Sequence, residues 1–338
     1  MQILTPMNAD TSFYKAMRWI TWPALMVICI SINAYGFATG MPILFFNLAY
    51  MFLIAALFVL ENKMPFEKEW QKPDGQNFAS IMHTLSSKGT VQLLLMFAGV
   101  IGLVELIKPV AEPLDYGIWP REWPVWVQVI LGLYVAEFML YWAHRAGHEI
   151  PFVWRFHAVH HSVTKLWLLN TGRFHFVDSL ISILMGMGLL LALGAPLEVV
   201  QWLASLTAFI GMLTHCNVDM KFGVLSWVFN TPELHRWHHS MDLREGNRNY
   251  CENVMIWDHV FRTFVNPKDR RPPAVIGMKD YMPPKFWQQI LWPFLAVKTK
   301  KRIIPEFEPL EFIYEDEDTR PEILKRGKQG TLSEEGKA

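Results

Sequence analysis

The 12 histidines of this 338-residue chain are not scattered. Five fall in YWAHRAGHEIPFVWRFHAVHHS, from Tyr141 to Ser162: His144, His148, His157, His160 and His161. Three more follow in HRWHHS: His235, His238 and His239. The spacing is HxxxH, then HxxHH twice. At this composition about 0.015 copies of HxxHH arise by chance, so two copies and an upstream pair need a cause. Positions three and four apart on a helix share a face. The reading is therefore that His157, His160 and His161 point one way, and His235, His238 and His239 likewise, while His144 and His148 stack one turn apart. Imidazole suits Fe, Zn, Cu or Ni. One octahedral ion rarely takes more than about six ligands, so eight imidazoles argue for two transition-metal ions. No Cys lies in the clusters, which disfavours structural zinc of the thiolate type.

Other polar residues join them. Glu137 precedes His144 by seven residues and His148 by eleven. On a helix that places it within about 20° of both. An ionisable group inside an apolar span is functional by default, which makes Glu137 a candidate acceptor for a ligand imidazole. Tyr141 shares its face, and the two are the candidate catalytic residues beside the metal. His215 closes a later apolar stretch and is a candidate ninth ligand; the alternative is a histidine favoured by a helix C-terminal dipole. Asn170, Arg173 and His175 are weaker candidates. His83 and His259 read as ordinary loop and structural histidines.

The elements that must position these groups are apolar. Hydrophobic residues make up 52% of the chain and charged residues 18%, with 15 Trp and 18 Met. Net formal charge is zero, which leaves no electrostatic footprint for nucleic acid. From Trp19 to Leu60 there is no charged residue or histidine. A span needs about 20 apolar residues, so two fit there, roughly 19–37 and 41–60 around a turn at Tyr35–Gly40. Further spans are predicted over about 91–110 and 124–143, the former ending in the Glu105/Lys108 pair. A hairpin of two spans follows over about 176–214, turned at Ala195–Pro196. Trp119, Trp123 and Trp126 read as an interfacial belt, and residues 282–297 as an interfacial helix followed by basic residues. The tail from Glu306 to Asp318 is acidic. Cys29, Cys216 and Cys251 show no framework spacing and read as small buried hydrophobes. Lys and Arg concentrate in the lead, in 61–90 and in 144–175, which predicts both termini and the histidine boxes on the cytosolic side. The expected architecture is an all-α, multi-span membrane bundle with a cytosolic helical cap that carries a histidine-rich di-metal site. Its expected divisions are a transmembrane region over 1–123, a catalytic domain over 124–265, and a C-terminal interfacial helix and charged tail over 266–338.

The order and spacing of the boxes resemble those of the fatty acid hydroxylase / sterol desaturase superfamily of membrane di-iron oxygenases. So do the residues around them: Glu137, Tyr141 and Trp142 ahead of HR; Asn170, Arg173 and His175 as NxxRxH; His215 and Asn217 as HxN; TPExHRxHHS over Thr231–Ser240; and NYxxxxxxWDxxFxT over Asn249–Thr263. The resemblance covers about residues 124–265. It departs at Cys251, where Gly is usual, and at His259 and Arg262 in the stretch usually read WDRxFGT, which bears on substrate subgroup. It implies two non-haem irons held by imidazoles, O2 as co-substrate, and oxidation of an unactivated C–H bond of a lipid. An alcohol is the expected product, with desaturation on the same scaffold as the alternative. No Rossmann fingerprint or ferredoxin cysteine run is present, so electrons are expected from an external b-type cytochrome or a ferredoxin with its reductase. The membrane is expected to be a bacterial inner membrane or the endoplasmic reticulum. From another class, a metal-transport or metal-storage protein would place its ligands at mid-span, whereas these lie in charged segments past the span ends.

Overall fold

The computed structural model describes residues 5–89, 117–296 and 299–300. Among them the regular elements are all helical, and β-type pairing is limited to isolated bridges such as Pro65 with Val218. The all-α expectation holds.

Helices α1 (Ser12–Ala38) and α2 (Pro42–Lys63) form the first hairpin. The apolar run alone puts the start of α1 near residue 19. The helix begins earlier because Thr11 caps it, its hydroxyl accepting the Tyr14 N–H at 3.2 Å. Its polar first turns are paired: Arg18 meets Asp219 at 2.8 Å, and the Tyr14 hydroxyl donates to the same carboxylate. Gly40, at φ +73°, makes the turn, and Pro42 opens α2. The short α3 (Asn77–His83) follows. Helix α4 (Val125–Glu149) extends past the expected end at residue 143 and carries His144 and His148 on its last turns. Nothing in HRAGHE breaks it before Pro151, which opens α5 (Pro151–His161). The expected 176–214 hairpin is α6 (Phe176–Ala192) and α7 (Leu197–Thr214). Among the described residues short helices follow: α8 (Leu225–Val228), α9 (Pro232–His238), α10 (Leu243–Gly246), α11 (Ile256–Val260) and α12 (Phe286–Leu291).

Helices α1, α2, α4 and α7 are long and apolar enough to cross a membrane. Helix α6 has 17 residues, about 26 Å, slightly short of a hydrocarbon core of about 30 Å. Outward-facing Val27, Leu48, Phe52 and Ile130 coat the spans, as a lipid-facing surface requires. Inside, α1, α2 and α7 share a core that includes Cys29, Leu53, Leu57, Phe209 and Cys216. Leu133, Leu190 and Leu203 bring α4, α6 and α7 together in another. All three cysteines are buried and free, as read from their spacing.

The expected span over 91–110, with Glu105 and Lys108, lies outside the described residues, as does the acidic tail. Trp123 and Trp126 are exposed, but Trp119 belongs to the core, where its Nε1–H donates to Gln128 Oε1 at 2.9 Å. The interfacial helix expected over 282–297 is only α12 plus a tight turn at Trp292–Phe294. It turns Trp287, Leu291 and Phe294 outward and buries Phe286 and Trp292.

Candidate metal centre

The ends of α4, α5, α7 and α9 meet on one side of the bundle and gather nine histidines into two groups. His144 and His148 from α4, His157 and His161 from α5, and His238 from α9 each place one ring nitrogen within 4.8 Å of all the others. His160, His215, His235 and His239 form the second group on the same criterion. His175 is in neither: it caps α6, its Nδ1 accepting the Val177 N–H at 3.2 Å, and its Nε2 lies 3.1 Å from the Ile290 carbonyl. His83 and His259 are likewise apart, His259 being stacked on Trp227.

Each HxxHH box is split rather than aimed one way. In α5, His157 and His161 serve the five-histidine group and His160 the four-histidine group. In α9 the division is reversed, with His235 and His239 on one side and His238 on the other. Positions i and i+4 lie about 40° apart around the axis, and i+3 lies on the opposite flank of i. One box can therefore give two ligands to one site and one to its neighbour. Two such boxes facing each other build both sites. Helix α4 is close enough because Gly147 has no side chain; a Cβ there would lie 3.1 Å from His157 Cγ. Helix α9 is fixed by buried Arg236, which donates to the Cys216 and Val218 carbonyls at 2.9 and 3.1 Å.

Hydrogen bonds fix which nitrogen faces inward. In the five-histidine group, Nδ1 of His144 lies 2.6 Å from the Tyr250 carbonyl and that of His238 2.7 Å from the Arg248 carbonyl. His148 Nδ1 meets Asn247 Oδ1 at 3.1 Å, and His157 Nδ1 meets Asp178 Oδ2 at 3.0 Å. These acceptors hold the proton on Nδ1 and turn Nε2 inward as a bare lone pair. The Nε2 atoms of all five rings are buried with no protein partner among the described residues. A buried polar atom left unpaired costs about 1–3 kcal/mol. Five cost on the order of 5–15 kcal/mol, as much as the whole net stability of a typical domain. A cation among them removes that cost.

In the four-histidine group, Nδ1 of His160 and of His215 lie against the Arg173 and Gly211 carbonyls at 3.3 and 2.8 Å. Three Nε2···Nε2 separations, His235–His215, His239–His160 and His239–His235, are 3.0–3.1 Å. Two imidazoles bound about 2.1 Å from one ion at right angles lie about 3.0 Å apart, so the donor set fits a metal. Burial and the neighbouring imidazoles push the ring pKa values of His160, His161, His235, His238 and His239 well below the usual 6.5. The rings are thus kept neutral, the form that ligates.

The contacts of Glu137 differ from the expected one. Its fully buried carboxylate faces no imidazole; it accepts the backbone N–H groups of Glu252, Asn253 and Val254 at 2.5, 3.0 and 3.3 Å. Irregular backbone beside a membrane span must find internal partners, and Glu137 supplies three. Asp258 does the same one turn along, accepting the Tyr250 and Cys251 N–H groups at 2.9 and 2.8 Å. The loop they hold provides the Asn247, Arg248 and Tyr250 oxygens that orient three imidazoles. Glu137 therefore acts on His144 through Tyr250, not directly. Tyr141 is also displaced from its expected place: its hydroxyl lies 3.1 Å from Thr263 Oγ1 and accepts from Arg145 at 3.2 Å.

Sequence reasoning missed Asp178, Asn247 and Glu61, and held Asp258 only as part of the WD motif, with no role attached. The carboxylate of Glu61, at the end of α2, accepts the Leu168 and Asn217 N–H groups at 2.8 and 2.9 Å and so anchors the segment after His215. Asp178 and Glu61 were visible as carboxylates at the margins of charge-free spans; Asn247 carried no signal. Arg173 and Asn170 are buried scaffold, Arg173 donating to Gln76 and Ser162 at 2.6 and 3.0 Å. A cavity of ≈ 380 Å³ opens onto His148, His161 and His238. The four-histidine group takes no part in its lining.

Residues 129–263 match the sequence model of the fatty acid hydroxylase family. The chain is 46% identical over 316 residues to an ornithine lipid hydroxylase of Rhizobium tropici, covering 92% of this chain and 93% of that protein. It is 30% identical over 152 residues to an alkylglycerol monooxygenase of Xenopus tropicalis, covering 45% of this chain and 33% of that one. To a fatty acid hydroxylase of a Lecanicillium species it is 28% identical over 185 residues, 48% and 49% of the two chains. No solved structure matches.

Proposed function

The chain belongs to the fatty acid hydroxylase family, and on that premise we propose that it is an O2-dependent hydroxylase of an amino-acid-headed membrane lipid of the ornithine lipid class. The observation that carries this is the pair of converging imidazole groups, within a chain that aligns over nearly its whole length with an ornithine lipid hydroxylase. The resident metals are two irons, one per group. Iron bound there supplies the oxidising power that an unactivated C–H bond demands.

The protein's own residues do the rest. His144, His148, His157, His161 and His238 hold one ion, and His160, His215, His235 and His239 the other. Asp178, Asn247 and the carbonyls of Arg248 and Tyr250 keep His157, His148, His238 and His144 in the ligating tautomer. Glu137 and Asp258 keep those carbonyls in place. The cavity admits substrate at the five-histidine group, and exposed Lys279 and Asp280 in its lining offer opposite charges to a zwitterionic headgroup. Trp154, Met241 and Met278 line its apolar walls and exclude water from the metal side.

The boxes face the cytosol of a bacterial inner membrane, an orientation supported by the Lys and Arg of the short loops. An external one-electron carrier, a b-type cytochrome or a ferredoxin with its reductase, supplies the reducing equivalents. Hydroxylation is favoured over desaturation by the activities named for the matching proteins. The test is lipid mass spectrometry of an ornithine-lipid-containing bacterial host with and without the chain. The expected result is an ornithine lipid heavier by one oxygen atom, absent with His238→Ala. A product lighter by two hydrogens, or none from iron-loaded protein, contradicts the reading.

A further inference from the structure

A continuous run of oxidisable rings leads from the five-histidine group to the surface. The Tyr250 ring lies 5.3 Å from that of His148 and 6.0 Å from that of His144. Tyr141 lies 5.8 Å from Tyr250, and Trp142 5.5 Å from Tyr141. Burial changes along the run: Tyr250 is 1% exposed, Tyr141 0% and Trp142 38%. The polar surroundings of the two phenols also differ. The Tyr250 hydroxyl is buried with no protein partner among the described residues. The Tyr141 hydroxyl has a proton route, since Thr263 Oγ1 lies 3.1 Å away and itself donates to buried Asp258 at 2.5 Å. A buried unpaired hydroxyl beside a redox site calls for an explanation, and a redox role is one of the few available.

We infer that Tyr250, Tyr141 and Trp142 form a protective one-electron path. It drains an oxidising equivalent from the five-histidine group when oxygen is activated with no lipid in place. The inference goes beyond the proposed hydroxylation and rests on its oxygen-activating reading. One electron leaves the Tyr141 phenol, passes the Tyr250 ring and reduces the oxidant at the metal site. The phenolic proton moves to Thr263 Oγ1 while the Thr263 proton moves to Asp258. Tyr250 does not hold the vacancy, because no group among the described residues accepts its proton. Trp142 then returns an electron to Tyr141, the protons retrace their route, and the exposed indole is refilled by the external one-electron donor. When that donor is lacking, the indole reacts with O2 and is permanently oxidised. The vacancy runs outward only: phenols and indoles give up electrons only to strong oxidants, so the path cannot deliver the donor's electrons to a site that holds no such oxidant. Arg145 holds the rings together, its guanidinium 5.5 Å over Trp142 and 6.0 Å over Tyr250 and its N–H on the Tyr141 hydroxyl.

The experiment uses iron-loaded full-length protein, reduced chemically, freed of excess reductant and then exposed to O2 without lipid, over repeated cycles. Peptide mass mapping locates oxidised side chains, and freeze-quench electron paramagnetic resonance detects organic radicals. In the wild type, oxidation is expected to concentrate on Trp142. With Trp142→Phe, a longer-lived tyrosyl radical and oxidised box histidines are expected, with several-fold fewer cycles before inactivation. Product formed in one turnover with lipid present should be unchanged. Tyr141→Phe should abolish the tyrosyl signal, and its thermal stability and iron content separate that effect from misfolding. Wild-type oxidation scattered over the histidine boxes with Trp142 intact overturns the inference. So does equal endurance of wild type and Trp142→Phe. Failure of the iron-loaded wild type to hydroxylate lipid overturns the functional reading and this inference with it.

Discussion

The two imidazole groups share two helices yet are held in different ways. The five-histidine group opens onto a cavity, and its outer partners are two side chains, Asp178 and Asn247, and two carbonyls of an irregular loop. That loop is pinned from below by Glu137 and Asp258. The four-histidine group does not line the cavity; His160 Nδ1 faces the Arg173 carbonyl, and His215 Nδ1 faces the carbonyl of Gly211, inside α7, with Thr214 Oγ1 also 3.3 Å away. Phe174 stacks on His160 at 4.2 Å and closes that side. One site is thus open and tuned in part by replaceable side chains, while the other is buried and set mainly by main chain.

The sharpest way to break this comparison uses neighbouring residues that serve different groups. His238→Ala and His239→Ala should each reduce lipid hydroxylation by more than the roughly 10–100-fold that losing an outer partner costs. Each should also lose metal from one group only, read as about half the wild-type metal content by elemental analysis. Loss of both ions from both variants would show the groups to be a single cooperative site. Next in size are Asp178→Asn and Asn247→Ala. Each should lower metal affinity or activity by roughly 10–100-fold through the five-histidine group alone, seen as a changed ligand-field spectrum of one ion with the other intact.

How far the sequence foretold this division depends on the residue. The histidines were legible because HxxHH is rare and helical periodicity is local. Their split was not, because it depends on how α5 and α9 face each other, with some 75 residues between the boxes. Glu137 was visible as a charge in an apolar span. Its partners at 252–254 were not, since a carboxylate accepts from backbone as readily as from imidazole and nothing local says which approaches. Trp119 misled for a related reason: an aromatic near a span end fits a membrane belt until a buried partner, here Gln128, is known. The spans within the described residues were read well, with limits that moved where a cap such as Thr11 or a starter such as Pro151 overrode the hydropathy pattern, whereas the helix expected over 282–297 shrank to Phe286–Leu291 and a turn.

Smaller effects sharpen the comparison further. Glu137→Gln turns an amide N–H₂ toward backbone donors, so the loop should lose about 1–3 kcal/mol. The expected readout is a lower midpoint of thermal unfolding and a perturbed five-histidine ion, with the four-histidine ion unchanged. An equal perturbation of both ions would contradict the loop's one-sided role. The smallest effect concerns His83, 3.1 Å from the Phe174 carbonyl and thus next to the ring that covers His160. Burial, aided by nearby Arg173, lowers its pKa to about 4, against about 6.5 unfolded. Between these values the unfolded chain binds a proton that the folded chain does not. His83 therefore favours folding fully above pH 6.5 and progressively less as pH falls toward 4. Thermal unfolding of wild type and His83→Asn at about pH 7 and pH 5 should show the steeper acid loss in the wild type. Parallel curves would contradict it.

The central claim is that the nine histidines make two metal sites of unlike construction. Iron per chain in purified wild type and in His215→Ala tests it most directly. Two irons in the wild type and one in the variant, with the remaining ion keeping the wild-type spectrum of the five-histidine group, are the predicted result. One iron or none in the wild type, or an unchanged count in His215→Ala, would contradict the account.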